Sequence, residues 1–252
     1  MIIQYASDLH LEFPDNKEFL KQNPIQPFGD VLLLAGDIVP FHLLDKHLDF
    51  FKVLSKNFKT TYWIPGNHEY YYSDVNEKSG SFIEEIQKNV FLVNNHAVVH
   101  DDVKFIFSTL WSQINPGNEW HIERGMSDFR VIKNGDYRFS APKFNELHQT
   151  SANFINQELS ENHVNKSVVV THHVPTLMNY PEEYKTSVLN SAFAVELFDT
   201  IETLQPDVWI YGHSHVNTPD FNIGKTRLLT NQLGYVMHGE QKLHSTQKYI
   251  KL

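Results

Sequence analysis

Seven side chains of the kinds that bind metal ions stand in five short polar clusters along the chain. In chain order the clusters read SDLH, GD, GNHE, THH and GHSH. Carboxylate, amide and imidazole ligands mixed in this way suit Mn, Fe, Zn or Co better than Ca. The candidate ligands are Asp8, His10, Asp37, Asn67, His172, His213 and His215.

Seven ligands are too many for one ion, since a tetrahedral site takes four and an octahedral site six. One shared carboxylate, Asp37, divides the set into two groups. Two divalent ions against two carboxylates leave a net charge of about +2, which attracts phosphate, and paired ions suit in-line attack on phosphorus. The first ion is assigned Asp8, His10, Asp37 and His215, and the second Asp37, Asn67, His172 and His213.

His68 follows the candidate ligand Asn67 and is not needed for coordination. It is therefore predicted to stabilise charge on a phosphoryl group or to protonate the leaving oxygen. Glu69 is expected to be an exposed surface residue, with the orientation of a neighbour as the alternative. The sequence leaves open whether Tyr70–Tyr72 line a pocket, and whether His173 touches substrate or packs beneath the metals. His148 is expected at the edge of the core, and His42, His47, His96, His100, His121, His163, His238 and His244 at the surface or on helix faces.

Each polar cluster follows a short apolar run that is typical of a buried strand. Amphipathic helix patterns stand between the runs, at Phe41–Phe51, Phe144–Leu159 and Val195–Leu204. Apolar strands that alternate with helices indicate an α/β sheet that is covered on both faces, and such sheets bind ligands at the carboxyl ends of their strands. The predicted strands are MIIQYAS, DVLLLA, TTYWIP, SVVVT and DVWIY.

The pairs Asp8 and His10, and His213 and His215, are each two positions apart. Because alternate residues of a strand point to the same side, each pair is expected to converge on one point. Gly212 precedes the second pair and lets the backbone turn tightly with no side chain in the way.

Composition restricts the class of protein. A chain of 252 residues that is 41% hydrophobic is predicted to form a single domain over residues 1–252. It has no cysteine, which excludes disulfides and thiolate metal sites. A net charge of −9 argues against sequence-independent nucleic-acid binding. The first residues enter a strand pattern without a long apolar stretch or a cleavage site, so we expect a cytoplasmic protein without membrane contact.

Two long, aromatic-rich stretches, residues 70–80 and 112–140, are the kind of connection that is functional when it is ordered. The second contains Arg124, Arg130 and Arg138, three of the four arginines of the chain. The fork of an arginine suits phosphate better than a lysine does, and Arg130 is the candidate to bind substrate. The alternative is that Arg130 pairs with Asp128 or another surface carboxylate. From about residue 221 onward the pattern predicts short strands joined by glycine turns.

The five clusters, in their order, resemble the motifs of the calcineurin-like metallophosphoesterases. The match spans positions 8 to 215 and implies a four-layer sandwich of two β-sheets flanked by α-helices. It also implies a dinuclear centre, with Mn as the expected ion, and hydrolysis of a phosphate mono- or diester by a metal-activated hydroxide. The family's ligands fall on the seven positions above and its catalytic histidine on His68. The phrases LWSQ, MSDFRVI and NQLGY are similar to an uncharacterised bacterial branch.

Departures from better-known branches bear on the substrate. Protein phosphatases and dinucleoside-tetraphosphate hydrolases carry Asp-Arg-Gly shortly after Gly-Asp, where this chain has Ile38-Val39-Pro40. A small phosphorylated substrate is expected, and no obligate protein partner is inferred. The alternatives are a cyclic-nucleotide or nucleotide-sugar phosphodiesterase, a non-catalytic scaffold with this fold, and a metal-dependent amidohydrolase. Scaffolds typically lose ligands or the catalytic histidine, and amidohydrolases resemble a barrel with His-x-His on the first strand, so the phosphoesterase is favoured.

Overall fold

All five apolar runs that precede the polar clusters form strands in the computed structural model of the protein. The structure describes residues 1–161 and 164–252, so His163 lies outside the described residues. The strands are β1 (Ile2–Ala6), β2 (Val31–Ala35), β3 (Thr60–Ile64), β4 (Phe82–Gln87), β5 (Val90–Asn94), β6 (His96–His100), β7 (Val103–Ser108), β8 (Lys133–Asn134), β9 (Tyr137–Arg138), β10 (Lys166–Thr171), β11 (Val208–Tyr211), β12 (Phe221–Ile223), β13 (Thr226–Thr230) and β14 (Tyr249–Lys251).

The helices lie between these strands, as the apolar periodicity predicts. The α-helices are α1 (Pro14–Gln22), α2 (Leu48–Asn57), α3 (Val75–Lys78), α4 (Glu119–Gly125), α5 (Asp128–Val131), α6 (Ala141–Ser160) and α7 (Phe198–Leu204). Short 3-10 helices cover Phe41–His47, His68–Tyr70, Pro116–Asn118, Glu182–Tyr184, Asn190–Ala192, Val236–His238 and Glu240–Leu243.

Two six-stranded β-sheets have the same arrangement of parallel and antiparallel strands. The first has the order β14-β1-β2-β3-β5-β4, with four parallel strands in the centre and an antiparallel strand at each edge. The second has the order β12-β13-β11-β10-β7-β6 and the same arrangement. The carboxyl ends of the central strands are where an α/β sheet binds ligands. The predicted metal-binding clusters follow β1, β2 and β3 of the first sheet, and β10 and β11 of the second.

The sheets pack face to face, and helices cover their outer faces. Tyr5 and Leu33 of the first sheet join Phe105 and Val170 of the second in one buried core. Helices α1 and α2 pack on the outside of the first sheet, and α6 and α7 on the outside of the second. Apolar strands buried on both faces require this cover. The predicted four-layer sandwich is confirmed.

Some elements differ from the sequence-based expectation. Strands β4 to β7 were not predicted. Strands β4 and β6 are edge strands with exposed residues, and β4 lacks an uninterrupted apolar run. Strands β5 and β7 are largely buried in the interior of the two sheets, but before residue 221 only apolar runs followed by a metal-binding cluster were assigned as strands. The pattern at Phe41–Phe51 forms a 3-10 helix followed by α2, and Val195 precedes α7. The segment 112–140 contains α4, α5 and the β8–β9 hairpin, and its Phe129 lies in one buried cluster with Trp111 and Phe144. The two stretches that were predicted to be loop-like, residues 70–80 and 112–140, thus both contain regular secondary structure.

Membrane crossing requires about 20 apolar residues in one helix. Among residues 1–161 and 164–252, no helix is long and apolar enough for such a crossing.

Candidate metal centre and substrate pocket

The loops after five strands meet between the two sheets and bring all seven predicted ligands together. Two carboxylates and two imidazoles, one of them that of His215, form the first subsite. The second subsite forms around the imidazole of His172. Asp37 belongs to both. The side chains are almost fully shielded from solvent, apart from the half-buried His215. The first subsite consists of Asp8, His10, Asp37 and His215, and the second of Asp37, Asn67, His172 and His213.

The first subsite is compact. His10 Nε2 lies 3.0 Å from His215 Nε2. The same His215 nitrogen is 3.5 Å from Asp8 Oδ1, and His10 Nε2 is 3.7 Å from Asp37 Oδ2. Four potential ligand atoms therefore surround one point, as a metal ion bound by nitrogen and oxygen would require.

The second subsite shares a carboxylate oxygen with the first. His172 Nε2 lies 3.4 Å from Asp37 Oδ2, 3.2 Å from Asn67 Oδ1 and 3.1 Å from His213 Nδ1. The oxygen Asp37 Oδ2 is thus near the imidazoles of both subsites. This is the position that a bridging carboxylate between two ions would occupy.

Hydrogen bonds on the far side of the imidazoles determine which nitrogen faces the first subsite. His10 Nδ1 donates to Glu12 Oε1 at 3.0 Å, and His215 Nδ1 donates to Glu240 Oε2 at 2.8 Å. Carboxylates accept only, so each Nδ1 carries a proton and, in the neutral ring, each Nε2 carries a lone pair. Two lone pairs 3.0 Å apart repel each other unless a positive species lies between them.

Hydrogen bonds also orient the ligand atoms of the second subsite. His172 Nδ1 donates to the carbonyl oxygen of Ala35 at 2.9 Å, which leaves Nε2 as an acceptor in the neutral ring. Asn67 Nδ2 donates to Asp128 Oδ1 at 3.0 Å, so the Asn67 amide oxygen turns toward the cluster. Acceptors from three residues then face one another, and this donor set fits a cation.

Carboxylates in and beside the cluster raise the pKa values of two of its imidazoles. Burial alone would lower the pKa of His172, but the carboxylate of Asp37 outweighs burial and raises it to about 9. Burial also lowers the pKa of His215, but Asp8 and Glu240 act more strongly and together raise it to about 10. Metal ions bind the neutral imidazole, so they compete with protons for these rings, and metal affinity falls with falling pH.

Left-handed backbone at the strand ends shapes the cluster. Asp8, His10, His213 and His215 have φ values of 55°, 49°, 75° and 55°. They lie beyond the ends of β1 and β11, where the alternation of a strand no longer applies. Asp8 and His10 converge as predicted, whereas the expectation that His213 and His215 converge on one point is wrong. Each histidine enters a different subsite.

Gly212 allows the loop after β11 to approach the first sheet. A Cβ atom on this residue would lie 2.6 Å from Asp8 Oδ2, which is closer than real side chains come. The backbone N–H of His213 donates to Asp8 Oδ1 at 3.0 Å across the same gap. The glycine is thus required by close approach between the two sheets, as its place in the motif suggests.

Glu69 is fully buried, so the expectation that it is exposed is wrong. It accepts hydrogen bonds from the backbone N–H groups of Asp37, Ile38 and Gly66, and from Trp63 Nε1, over 2.9, 2.7, 2.7 and 3.0 Å. Backbone N–H groups that leave the ends of β2 and β3 need an acceptor, and Glu69 supplies it. The side chain therefore orients the loop that carries the shared Asp37.

His68 lies beside the cluster and does not share its inward-facing acceptors. Its Nδ1 is 3.1 Å from Glu12 Oε1, and its Nε2 is 3.3 Å from the hydroxyl of Tyr235. The ring stacks on Tyr71 at 4.1 Å between centroids. Burial lowers the pKa of His68, but the negative charges of Asp37 and Glu12 act more strongly and raise it above its usual value. The surrounding carboxylates thus make the imidazolium of His68 a weaker acid than that of a free histidine.

The residues that the sequence left open have distinct places. Tyr70 is buried and donates to the carbonyl of Lys78, Tyr71 lines the pocket, and Tyr72 is 60% exposed. His173 is fully buried between the rings of Trp111 and His213, so it packs beneath the cluster. His148 is buried on α6 as expected; His42, His121 and His238 are exposed, and His47, His96, His100 and His244 are half-buried.

Arg130 does not line the pocket beside the metal cluster. Its guanidinium group is exposed and donates to the Arg124 carbonyl at 2.9 Å and to Ser127 Oγ at 3.2 Å. Arg124 lies over the Trp120 ring at 4.4 Å. Arg138 donates to the Phe129 carbonyl at 3.4 Å. The three arginines thus connect parts of the segment 119–138 to one another.

Arg130→Ala is expected to reduce stability more than catalysis. Loss of two exposed hydrogen bonds costs about 1 kcal/mol, which lowers Tm by about 2–4 °C in a chain of this size. Thermal unfolding, together with KM and kcat on bis-p-nitrophenyl phosphate, measures both effects. Arg227→Ala, which removes a surface ion pair with Asp220 at 3.7 Å, is the matched control. A raised KM with unchanged Tm would instead make Arg130 a substrate contact.

Four side chains near the cluster were missed by reasoning from the sequence. Glu12 stands two residues after His10 and contacts His68, so its spacing was a usable signal. Tyr235 follows β13, a sixth strand end with the same position in the fold. Asp128 and Glu240 sit in helical turns far along the chain from the ligands that they orient, and no local pattern marks them.

A pocket of about 390 Å³ opens beside the cluster. Asp37, Asn67 and His68 form its base together with His213 and His215. Much of the remaining lining comes from residues 125–128 and from the segment 180–193. Its volume lies within the range of small-molecule sites, roughly 300–1,000 Å³. A molecule bound there would contact both subsites and His68.

Comparisons with known proteins agree with this geometry. The family model described as calcineurin-like phosphoesterase matches residues 3–217. The chain is 33% identical over 265 residues to uncharacterized protein L509 of Acanthamoeba polyphaga mimivirus, covering 93% of this chain and 91% of that protein. Its fold is similar to that of the phosphopantetheinyl hydrolase PptH of Mycobacterium tuberculosis, with a TM-score of 0.73, 14% identity, and coverage of 98% and 95% of the two chains. The chain therefore belongs to the calcineurin-like phosphoesterase family.

Proposed function

We propose that the protein is a phosphoesterase that binds two divalent metal ions and hydrolyses a small phosphate mono- or diester. The observation that carries this proposal is the shared Asp37 Oδ2, which lies 3.7 Å from His10 Nε2 and 3.4 Å from His172 Nε2. One oxygen between two sets of inward-facing acceptors suits a pair of ions. Mn is the expected ion, and Fe, Zn and Co suit the same ligands.

The seven candidate ligands would hold the ions, four to each with Asp37 shared. When bound, the ions supply positive charge to the phosphoryl oxygens and a nucleophile derived from water. Asp8, Asp37 and the imidazoles fix that charge at the base of the pocket. Glu12 and Glu240 hold the His10 and His215 rings by hydrogen bonds to Nδ1, which directs Nε2 toward the first ion.

His68 is the proposed proton donor. Its Nδ1–H is held by Glu12, so its Nε2–H is the proton that can be passed to a leaving oxygen at the base of the pocket. As hydroxide derived from water adds to phosphorus, the P–O bond to the leaving group breaks and that oxygen takes the proton from His68. The proton that the water releases goes to solvent, from which His68 is reprotonated. Tyr71 stacks on the imidazole and fixes its plane. The products are an alcohol or phenol and the remaining phosphate.

A non-catalytic scaffold is the second candidate. It would bind metals or phosphate in the same cluster without turnover. The hydrogen-bonded and stacked His68, which contributes nothing to coordination in this assignment, favours the enzyme. Among enzymes, cyclic-nucleotide and nucleotide-sugar phosphodiesterases are the alternatives. A cytoplasmic location, and independence of membranes, nucleic acids and obligate protein partners, stay predictions.

Manganese-loaded protein is expected to hydrolyse at least one compound in a panel of p-nitrophenyl phosphate, bis-p-nitrophenyl phosphate, cyclic nucleotides and nucleotide sugars. Removal of the ions with a chelator should lower the rate by at least about a hundredfold, because the charge and the nucleophile both depend on them. Readdition of Mn²⁺ should restore the rate. Binding of two Mn²⁺ per chain without turnover of any compound would support the scaffold instead.

A further inference from the structure

The pocket walls beyond the metal cluster are aromatic and apolar. Tyr180 and Tyr184 line the pocket together with Leu189, Phe193 and Met126. Tyr180 is 5% exposed and Met126 is 7% exposed, so these walls are backed by packed protein. Surfaces of this kind bind apolar and aromatic groups through burial and ring contacts.

Rings also flank the histidines at the base. Phe193 stacks on His213 at 4.6 Å between centroids, with an interplanar angle of 24°. Tyr71 stacks on His68 at 4.1 Å. Aromatic side chains thus line the pocket beside two of its histidines. A flat organic group attached to a phosphate at the cluster would have aromatic rings to contact.

The pocket lining carries carboxylates. Asp128 and Glu240 are among the lining residues, in addition to Asp37. None of the described residues that line the pocket is a lysine or an arginine. Of the nearby cations, Arg130 donates to Arg124 and Ser127, and Lys185 pairs with Glu182. A second phosphate group placed away from the metal cluster would meet the carboxylates of Asp128 or Glu240, with no lysine or arginine among the described lining residues to balance the charge.

We propose that this pocket selects esters whose organic group is uncharged and has an aromatic or apolar face, and that it disfavours substrates with a second anionic group. The inference rests on the proposed phosphoesterase function and specifies the substrate class for that site. The hydroxyl groups of the lining tyrosines and serines can form hydrogen bonds with neutral polar groups of a substrate. Nucleotide sugars and polyphosphates, with a second phosphate beside the scissile bond, fit this site poorly.

The test measures binding of phosphonates, each of which carries one organic group and cannot be hydrolysed. The probes are methylphosphonate, phenylphosphonate and 4-carboxyphenylphosphonate, titrated calorimetrically into manganese-loaded protein. Phenylphosphonate is expected to bind about tenfold more tightly than methylphosphonate, because one ring face becomes buried. The added carboxylate of the third probe should weaken binding about tenfold relative to the phenyl compound.

A positive charge introduced at an exposed lining residue provides a second test of the inference. Ser187 lines the pocket and is exposed, whereas Val188 is 50% exposed and is not among the lining residues. Ser187→Lys should reduce the loss caused by the carboxylate several-fold, and the matched control Val188→Lys should reduce it less. Equal affinities for the methyl and phenyl probes, or tighter binding of the carboxylate in the unmodified protein, would overturn the inference.

The two proposals fail in different ways. If the phosphonates bind in the expected order but no ester is turned over, the substrate class stands as a ligand class and the enzymatic proposal is refuted. If esters are hydrolysed but the phosphonates show no preference for the ring, the enzyme stands and the pocket inference is refuted. Hydrolysis of nucleotide sugars in preference to single-phosphate esters would also refute the inference.

Discussion

Asp37→Asn is expected to abolish tight binding of both metal ions and, with it, all measurable hydrolysis. Asp37 Oδ2 lies near His10 in one subsite and near His172 in the other, so the loss of its charge weakens both. Asparagine keeps the shape and an oxygen that can accept the 2.9 Å hydrogen bond from the His68 backbone. Elemental analysis after dialysis against Mn²⁺ measures the number of ions per chain.

Asn67→Ala is the matched comparison for Asp37→Asn. Asn67 contacts His172 in the second subsite and has no part in the first, so its loss should mainly empty one position. The expected contents are about two ions in the unmodified protein, about one in Asn67→Ala and close to none in Asp37→Asn. Near-complete occupancy of both positions in Asp37→Asn would contradict the bridging assignment.

Residue type and strand-end position were sufficient to predict which side chains come together in the cluster. Asp8, Asp37 and His172 each follow a strand whose apolar run is unmistakable, and parallel strands bring their carboxyl ends to one edge. The prediction of two ions with one shared carboxylate followed from counting ligands and needed no distances. Whether each of these residues binds metal stays a prediction that elemental analysis tests.

The partners of the ligands could not be predicted in the same way. Glu240 reaches His215 across 25 positions of sequence, and Asp128 reaches Asn67 across 61. Such contacts depend on how separate loops pack, and no local periodicity encodes that packing. Glu69 shows a related limit, since its burial follows from the backbone donors around it and not from its own hydrophilicity.

Glu12 links the two parts of the proposed chemistry. Its Oε1 accepts from His10 Nδ1 at 3.0 Å and from His68 Nδ1 at 3.1 Å. One carboxylate therefore orients an imidazole of the first subsite and the imidazole proposed to donate a proton. Because this coupling runs through a single side chain, removing Glu12 would disturb metal binding and proton transfer together. Removing His68 should instead affect proton transfer and leave metal binding intact.

His68→Ala should retain both metal ions and lose roughly 10²–10⁴ in kcat, the range for a general acid or a charge-stabilising group. The expected reason is that the Nε2 proton at the base of the pocket disappears while the ligands of both subsites remain. Metal content by elemental analysis, and kcat on the best substrate of the panel whose leaving group is an alcohol, are measured on the same preparation. His100→Ala, on the edge strand β6, is the histidine control and should match the unmodified protein.

The leaving group distinguishes the two roles open to His68. If it protonates the leaving oxygen, the loss in His68→Ala should be largest for esters of weakly acidic alcohols and smaller for p-nitrophenyl esters, which leave without a proton. If it stabilises charge on the phosphoryl group, the loss should be similar for both kinds of ester. A parallel fall in metal content and activity would move His68 from catalysis to coordination, because its imidazole would then be holding an ion and not a proton.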